Sequence, residues 1–266
     1  MILQTPAGKI AYSTFGERKN KSIIFIHGFP FDKSMWDEQA TLISKDHFVI
    51  TYDVRGHGGS DVGSGQYLVE FFVDDLISLL EHTDTQKAVV CGLSMGGYVA
   101  LRAIDRAKDR FSGLILCDTK ATADTNAAKL NRAVQIATIL AGKKSQFADG
   151  QLKALFAPES FEKRIDAVKK IDSIINSTQN AGLVGVLIAL AARMDMTDSL
   201  EKISVPTLII VGEKDRVTTS ADAEFMHDRI RNSKLITILG AGHISNMENP
   251  QEFNSALTGF LAGNGL

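Results

Sequence analysis

The sequence predicts an α/β fold built on a mostly parallel, doubly wound sheet of about eight strands. Three observations carry that expectation. Short apolar, β-branched runs recur along the chain, the segments between them show helical periodicity, and glycine or polar breaks separate the two patterns. Strands that alternate with helices pair in parallel, since a parallel connection must cross over the sheet and a helix makes that crossing. Such a sheet is covered on both faces, so its strands read as continuous hydrophobic runs.

The elements follow in order. Residues Ile2 to Phe15 flank Pro6-Ala7-Gly8 and predict an N-terminal hairpin. Strands are then expected at Ser22–Ile26, Phe48–Tyr52, Ala88–Cys91, Leu114–Cys117, Thr207–Val211 and Leu235–Leu239. Tyr67 to His82 carries a helical stripe of Leu68, Phe71, Phe72, Asp75, Leu76, Leu79 and Leu80 beside a charged face. One interval breaks the rhythm. Between Lys120 and Lys202 no strand is evident, while helical stretches run over Asn126–Ala141, Ser145–Phe156, Ser160–Thr178 and Leu183–Met194. So long an excursion exceeds a loop and predicts a helical cap inserted after the sixth strand. The expected division is a core of residues 1–119 and 203–266 with a cap of residues 120–202.

Composition narrows the function classes. The 266 residues are 44% hydrophobic and 23% charged, ordinary values for a globular enzyme. A formal net charge of −2 argues against a general nucleic-acid or anionic-membrane surface. The N-terminal residues lack the basic and apolar regions of a signal peptide, and the most apolar run, Val184–Ala192, is too short to span a bilayer. A cytoplasmic protein with neither a nucleic-acid nor a membrane partner is therefore expected. Cys91 and Cys117 each close an apolar run and read as small buried hydrophobes.

The chemistry concentrates where strands end. Gly92, Ser94 and Gly96 follow the run Val89–Cys91 and form the G-x-S-x-G pattern of a nucleophile elbow, with a helix expected from Tyr98 onward. Glycines are needed because a sharp strand-to-helix turn leaves no room for side chains beside the serine. The turn lifts the serine above the sheet edge and puts the Met95 N–H at a helix N-terminus, where negative charge is favoured. A nucleophilic serine needs a base, an orienting acid and oxyanion donors. Asp215 follows the strand Thr207–Val211, and His243 follows the last strand, which completes the order serine, acid, histidine. Asp118, one strand earlier on the same rim, is the competing acid. The Phe29 N–H, in the loop His27-Gly28-Phe29-Pro30, is the second oxyanion candidate, and His27 reads as a loop histidine that fixes the turn.

The chain resembles the α/β-hydrolase family over nearly its whole length. The resemblance rests on His27 to Pro30, Tyr52-Asp53-Val54-Arg55-Gly56-His57-Gly58-Gly59-Ser60, Gly92 to Gly97, Gly212-Glu213-Lys214-Asp215, and Gly242-His243. It implies the α/β-hydrolase fold, a Ser94–His243–Asp215 triad, an oxyanion hole at Phe29 and Met95, and no metal or organic cofactor. Arg55 and His57 lie in a turn that such proteins use as scaffold. Serine at the elbow argues against the haloalkane dehalogenase and epoxide hydrolase branches, which place aspartate there. The stretch from Ala191 to Asp195 and on through Val205-Pro206 looks like small carboxylesterases and 3-oxoadipate enol-lactonases. The resemblance thus points to hydrolysis of small or medium esters, with lactone hydrolysis or cofactor-free perhydrolysis as alternatives and a ligand receptor as the reading from another class. An enol-lactonase must hold a substrate carboxylate, so Arg132 and Arg193 become candidate anchors, unless they are solvated helix arginines. Phe31 and Trp36, with Phe29, are expected either to line the acyl side of the pocket or to pack in the core.

Overall fold

The computed structural model describes residues 1–266. The hairpin β1 (Ile2–Thr5) and β2 (Gly8–Phe15) forms as expected, with Ile2 opposite Ala11. There follow β3 (Ser22–Ile26), α1 (Asp37–Ile43), β4 (Phe48–Tyr52), α2 (Val69–His82), β5 (Ala88–Leu93), α3 (Met95–Ala107) and β6 (Phe111–Cys117). Five helices then intervene: α4 (Asn126–Leu140), α5 (Lys144–Leu155), α6 (Ser160–Lys163), α7 (Ile165–Ser177) and α8 (Asn180–Ala192). The chain returns to the sheet through β7 (Thr207–Gly212), α9 (Ser220–His227) and β8 (Ser233–Ile238), and ends in α10 (Ser245–Glu248) and α11 (Pro250–Gly263). No single helix is long and apolar enough to cross a membrane.

The eight strands make one sheet in the order β1-β2-β4-β3-β5-β6-β7-β8, parallel from β4 through β8. Chain order reverses at β3, which lies between β4 and β5. Loops leaving β3 and β5 at their carboxyl ends therefore diverge and open a crevice, the place where open α/β sheets bind ligands. Pairing of Ile26 with Gly92, of Leu93 with Cys117 and of Gly212 with Ile238 brings the exits of β3, β5, β6, β7 and β8 to one rim. Ile23, Ile24, Phe25 and Ile26 are fully buried, as a strand covered on both faces requires.

Several boundaries differ from the sequence reading for identifiable reasons. Helix α3 begins directly after Ser94, three residues before Tyr98, with the Ser94 carbonyl accepting the Gly97 and Tyr98 amides. The stretch Ser160–Thr178 is two helices. Arg164 leaves helical geometry (φ −130°, ψ 39°) and donates from Nε to the Glu248 carbonyl at 2.7 Å. On α2 the buried stripe runs through Phe72, Val73, Leu76, Leu79 and Leu80, whereas Leu68 and Phe71 face outward and Phe71 lies under the Arg55 guanidinium. The last strand starts at Ser233 and leaves Leu239 exposed beyond its end. Cys91 and Cys117 are buried thiols with their sulfurs 3.9 Å apart.

Trp36 and Phe31 are core residues, which corrects their expected place in the pocket. Both are fully buried, and the Trp36 ring sits 5.0 Å from that of Phe25 on β3 and 6.1 Å from that of Phe253 on α11. Phe31 packs beneath the β3 exit, where its ring would meet a Cβ at Gly28. Trp36 Nε1 has no hydrogen-bond partner, so only ring volume matters at this position. Trp36→Ala should cost about 3–5 kcal/mol of stability in denaturant unfolding, and Trp36→Phe much less. A changed preference among ester chain lengths in Trp36→Phe would instead place the ring in the pocket.

Candidate active site

Ser94 occupies the turn between β5 and α3 with φ 53° and ψ −113°, a conformation non-glycine residues seldom adopt. Two glycines make the turn possible. A Cβ at Gly92 would strike the Gly96 carbonyl, and one at Gly96 would strike the Ile26 carbonyl. The serine peptide is held from β6. The Ser94 N–H donates to the Cys117 carbonyl at 2.9 Å, and the Thr119 hydroxyl donates to the Ser94 carbonyl at 2.8 Å.

His243 and Asp215 meet at the same rim. His243 Nδ1 lies 2.8 Å from Asp215 Oδ2. Asp215 is fixed in turn: its Oδ1 accepts the amides of Val217 (2.8 Å) and Thr218 (3.0 Å), and its Oδ2 accepts the Thr218 hydroxyl (2.8 Å). Burial would raise the Asp215 pKa, but the charge and hydrogen bond of His243 and the Thr218 donors outweigh it and hold the carboxyl below its usual range. Burial would likewise lower the His243 pKa. The negative charge and hydrogen bond of Asp215 prevail, with Asp118 and Glu248 assisting, and hold it above the ordinary imidazole value. With Nδ1 engaged by Asp215, His243 Nε2 carries no partner and faces the cavity that Ser94 lines. Ser94 Oγ is likewise unbonded, and serine–histidine hydrogen bonds commonly tighten only when substrate arrives.

Asp118, the competing acid, does not touch the histidine. Its Oδ1 accepts the Gly212 amide at 2.8 Å and its Oδ2 accepts the Ser245 hydroxyl at 2.5 Å, so it ties the exit of β6 to that of β7 and to α10. Burial, reinforced by the charge of Asp215, pushes its pKa up to about 8.

The amides expected to face an oxyanion are both free. The Phe29 N–H donates to no protein acceptor, and Met95 is the first residue of α3, where amides lack intrahelical partners. His27 orients the first of them. Its Nε2 accepts the Val54 amide at 2.9 Å, which leaves the proton on Nδ1, and Nδ1 donates to the Gly28 carbonyl at 2.8 Å. In a trans peptide the carbonyl and the following N–H point in opposite directions. Holding the Gly28 carbonyl toward His27 therefore turns the Phe29 N–H away from it. Burial lowers the His27 pKa and keeps the ring in this neutral tautomer. Arg55 pairs with Asp75 through two hydrogen bonds (2.6 and 2.7 Å), and burial pushes the His57 pKa down to about 3, in keeping with a scaffold turn.

The cavity over Ser94 measures about 260 Å³ and is lined by Phe29, Tyr98 and His243 of the sheet rim and by side chains from α4, α5 and α8. A larger groove of about 620 Å³ between Ser34–Gln39 and Glu162–Lys170 contains none of these groups. The family profile described as alpha/beta hydrolase fold matches residues 21–250.

The chain belongs to the α/β-hydrolase family.

This α/β hydrolase is 34% identical over 250 residues to 3-oxoadipate enol-lactonase 2 of Acinetobacter baylyi, covering 92% of this chain and 90% of the relative. Among solved structures it is similar to a thermophilic esterase from Thermogutta terrifontis with malate bound, at TM-score 0.94 and 33% identity, over 99% of this chain and 98% of that one. It is also similar to an enol-lactonase from Burkholderia xenovorans, at TM-score 0.92 and 28% identity, over 98% and 100% of the two chains.

The two arginines of the sequence reading come together, but on a carboxylate of the protein's own. Arg132 and Arg193 both pair with Asp124, and Arg193 also lies 4.1 Å over the Tyr98 ring and is buried. Arg132 lines the cavity and Arg193 sits behind it, beside a separate small cavity. Three groups escaped the sequence reading. Thr218 holds the acid, Lys120 lines the cavity, and Glu248 joins the cap to the histidine loop. The Asp215-x-x-Thr218 spacing was the available signal for the first, as an Asx-type turn. NMR titration of the His243 ring should give a midpoint above the ordinary histidine value, and Asp215→Asn should lower it. An unchanged midpoint in that variant would remove Asp215 as the partner that sets it.

Proposed function

We propose that this α/β hydrolase cleaves small carboxylic esters and lactones through an acyl-enzyme on Ser94. The observation that supports it most is the free Nε2 of an aspartate-bound His243 facing the same cavity as the serine. In this reading Ser94 Oγ attacks the carbonyl carbon and His243 Nε2 takes its proton. Asp215 stabilises the imidazolium without taking that proton. The Phe29 and Met95 amides bind the oxyanion, each donor worth roughly 2.7–4 kcal/mol of barrier. His243 then protonates the leaving alkoxide, which departs as an alcohol or, from a lactone, stays tethered to the acyl group. Water next attacks the acyl carbon, His243 removes its proton, and Ser94 is regenerated with the carboxylic acid. Residues 1–119 and 203–266 supply this chemistry, and residues 120–202 supply selectivity.

Lactone hydrolysis has specific support in the enol-lactonase similarity, which spans nine-tenths of both chains. The test is turnover of p-nitrophenyl butyrate and of simple lactones, with mass-spectrometric labelling by a serine-directed phosphonate. Ser94→Ala should lose both turnover and label. Hydrolysis that survives this substitution would discard the mechanism, and a single slow acylation without turnover would favour a receptor.

The pH profile follows from His243. Its raised pKa means that the neutral base is present above that value and lost as pH falls through it. The acid limb of kcat/KM should therefore lie above the ordinary histidine pKa of about 6.5. A flat profile down to pH 4 would count against His243 as base. Asp215→Asn should reduce kcat by about 10⁴-fold, as loss of the orienting acid does elsewhere. Asp118→Asn should cost far less, and the reverse ranking would exchange the two roles.

A further inference from the structure

His243 is held at two ends, and Asp215 accounts for only one of them. Asp215 binds the ring through Nδ1. The backbone end is held by α10 and by the end of α5 with the turn that follows it. Three successive loop amides donate to these elements. Those of Gly242 and Ile244 reach Glu248 Oε1 at 2.9 and 3.3 Å, and the His243 amide between them reaches the Leu155 carbonyl at 2.7 Å. The other carboxylate oxygen, Glu248 Oε2, accepts the Ala157 amide at 2.8 Å and the Ser160 hydroxyl at 2.6 Å. One side chain therefore bridges both neighbours of the histidine to residues 157 and 160. No space is left at the junction. A Cβ at Gly242 would stand 2.6 Å from the Ala157 nitrogen and 2.8 Å from the Leu155 oxygen.

The chemistry of this bridge calls for a carboxylate. An ionised carboxylate has two oxygens that accept and never donate, and all four partners of Glu248 are donors. A glutamine in its place would aim an N–H either at the Ala157 amide or at the two loop amides, so one side of the bridge would open. No cation pairs with the Glu248 carboxylate. Arg164 donates to its backbone carbonyl instead (2.7 Å), and Lys214 and Glu159 nearby pair with each other. Burial raises the Glu248 pKa, and its four donors oppose that rise. A buried charge held by neutral donors alone is weakly screened and acts on the nearest ionisable ring. That ring is His243. Asp215 from the β7 exit and Asp118 from the β6 exit act on it as well, while Lys120, Asp124 and Arg132 share its cavity.

We propose that Glu248 is a positioning residue for His243: it fixes the histidine backbone while Asp215 fixes the ring, and its charge acts on the imidazole beside that of Asp215. The segment from Leu155 to Ser160 then helps to set where Nε2 stands in the Ser94 cavity. The proposal rests on the acyl-transfer reading for its kinetic arm alone. The state of the ring can be followed without a substrate.

Three variants of the full chain test it, with p-nitrophenyl butyrate turnover and the His243 midpoint by NMR as readouts. Glu248→Gln removes the charge and opens one side of the bridge. It should lower kcat about 10- to 100-fold with little change in KM, the loss expected when a reacting group is displaced by up to an ångström. Its acid limb and its NMR midpoint should both move to lower pH, because a negative charge that favours the imidazolium is gone. Glu248→Asp keeps the charge but is one methylene too short to reach both sides. It should lose kcat comparably while its midpoint moves less. Ser160→Ala removes one donor and no charge, so it should lower kcat less than either and leave the midpoint in place. A midpoint unmoved in Glu248→Gln, or full kcat in that variant, would overturn the assignment. Should a thermal melt show Glu248→Gln unfolded, full kcat in both other variants would overturn it instead. If no form turns over the ester while the midpoint still falls in Glu248→Gln, the acyl-transfer reading fails and the action of Glu248 on the ring stands.

Discussion

Ser94 reaches the rim only because α3 descends onto the sheet edge at backbone contact distance, with glycine at 92 and 96 leaving room for the approach. The serine conformation (φ 53°) costs roughly 1–3 kcal/mol and persists because neighbours over-determine it. Bonds to Cys117 and from Thr119, at the exit of β6, hold the serine amide and carbonyl, and the first amides of α3 lack intrahelical partners. Parallel register carries the consequence across the sheet. Because Ile26 pairs with Gly92, the loop after β3 must emerge beside the serine, and His27 then needs only to turn one peptide to present the Phe29 amide. Ser94 and the two free amides are thus brought together by one tight turn and one strand pairing.

Two carboxylates share this rim, and their surroundings separate them. Asp215 meets three donors from Val217 and Thr218 and one imidazole, so its charge is stabilised where it can stabilise a cation. Asp118 has neutral donors only, and with a pKa near 8 it is largely protonated at neutral pH. Two charged carboxylates so near each other would repel, and burial settles which of them yields. Asp215 is the principal charge felt by His243, and Asp118 ties the exit of β7 to the start of α10. The carboxylate nearer in sequence to the serine therefore binds neighbouring strand ends rather than the histidine, although both follow strands on the same edge.

That distinction marks where sequence stops being informative. Continuous apolar runs gave β3 and β4 residue for residue, since a strand buried on both faces has little freedom in composition, whereas β6 and β8 start three and two residues earlier than their apolar runs. The order of Ser94, Asp215 and His243 was readable because each follows a strand, and strand ends define one rim. Trp36 and Phe31 were ambiguous, as an aromatic beside a loop can fill a core or a pocket with the same chemistry. The cations on the cap side were harder still. Arg132, Arg193 and Lys120 carry one charge each, and their difference lies wholly in Asp124, eight residues from Arg132 and 69 from Arg193. Only the packing of α4 against α8 shows that the arginines share a counter-ion and the lysine has none.

The same packing ties the cavity wall to the His243 loop at one point and frees it at another. Glu248 accepts the Ala157 amide (2.8 Å) and Ser160 hydroxyl (2.6 Å) on one side, and the Gly242 amide (2.9 Å) on the other. The His243 amide itself donates to the Leu155 carbonyl at 2.7 Å. The chain between α5 and α6 is thus part of the histidine's support, and displacing it would move the imidazole. Helix α4 makes no such bond to the His243 loop, yet it contributes Asn131, Arg132 and Gln135 to the cavity wall. Substitutions on α4 can therefore reshape the cavity wall while the His243 imidazole stays in place, whereas changes near Ala157 must disturb both together.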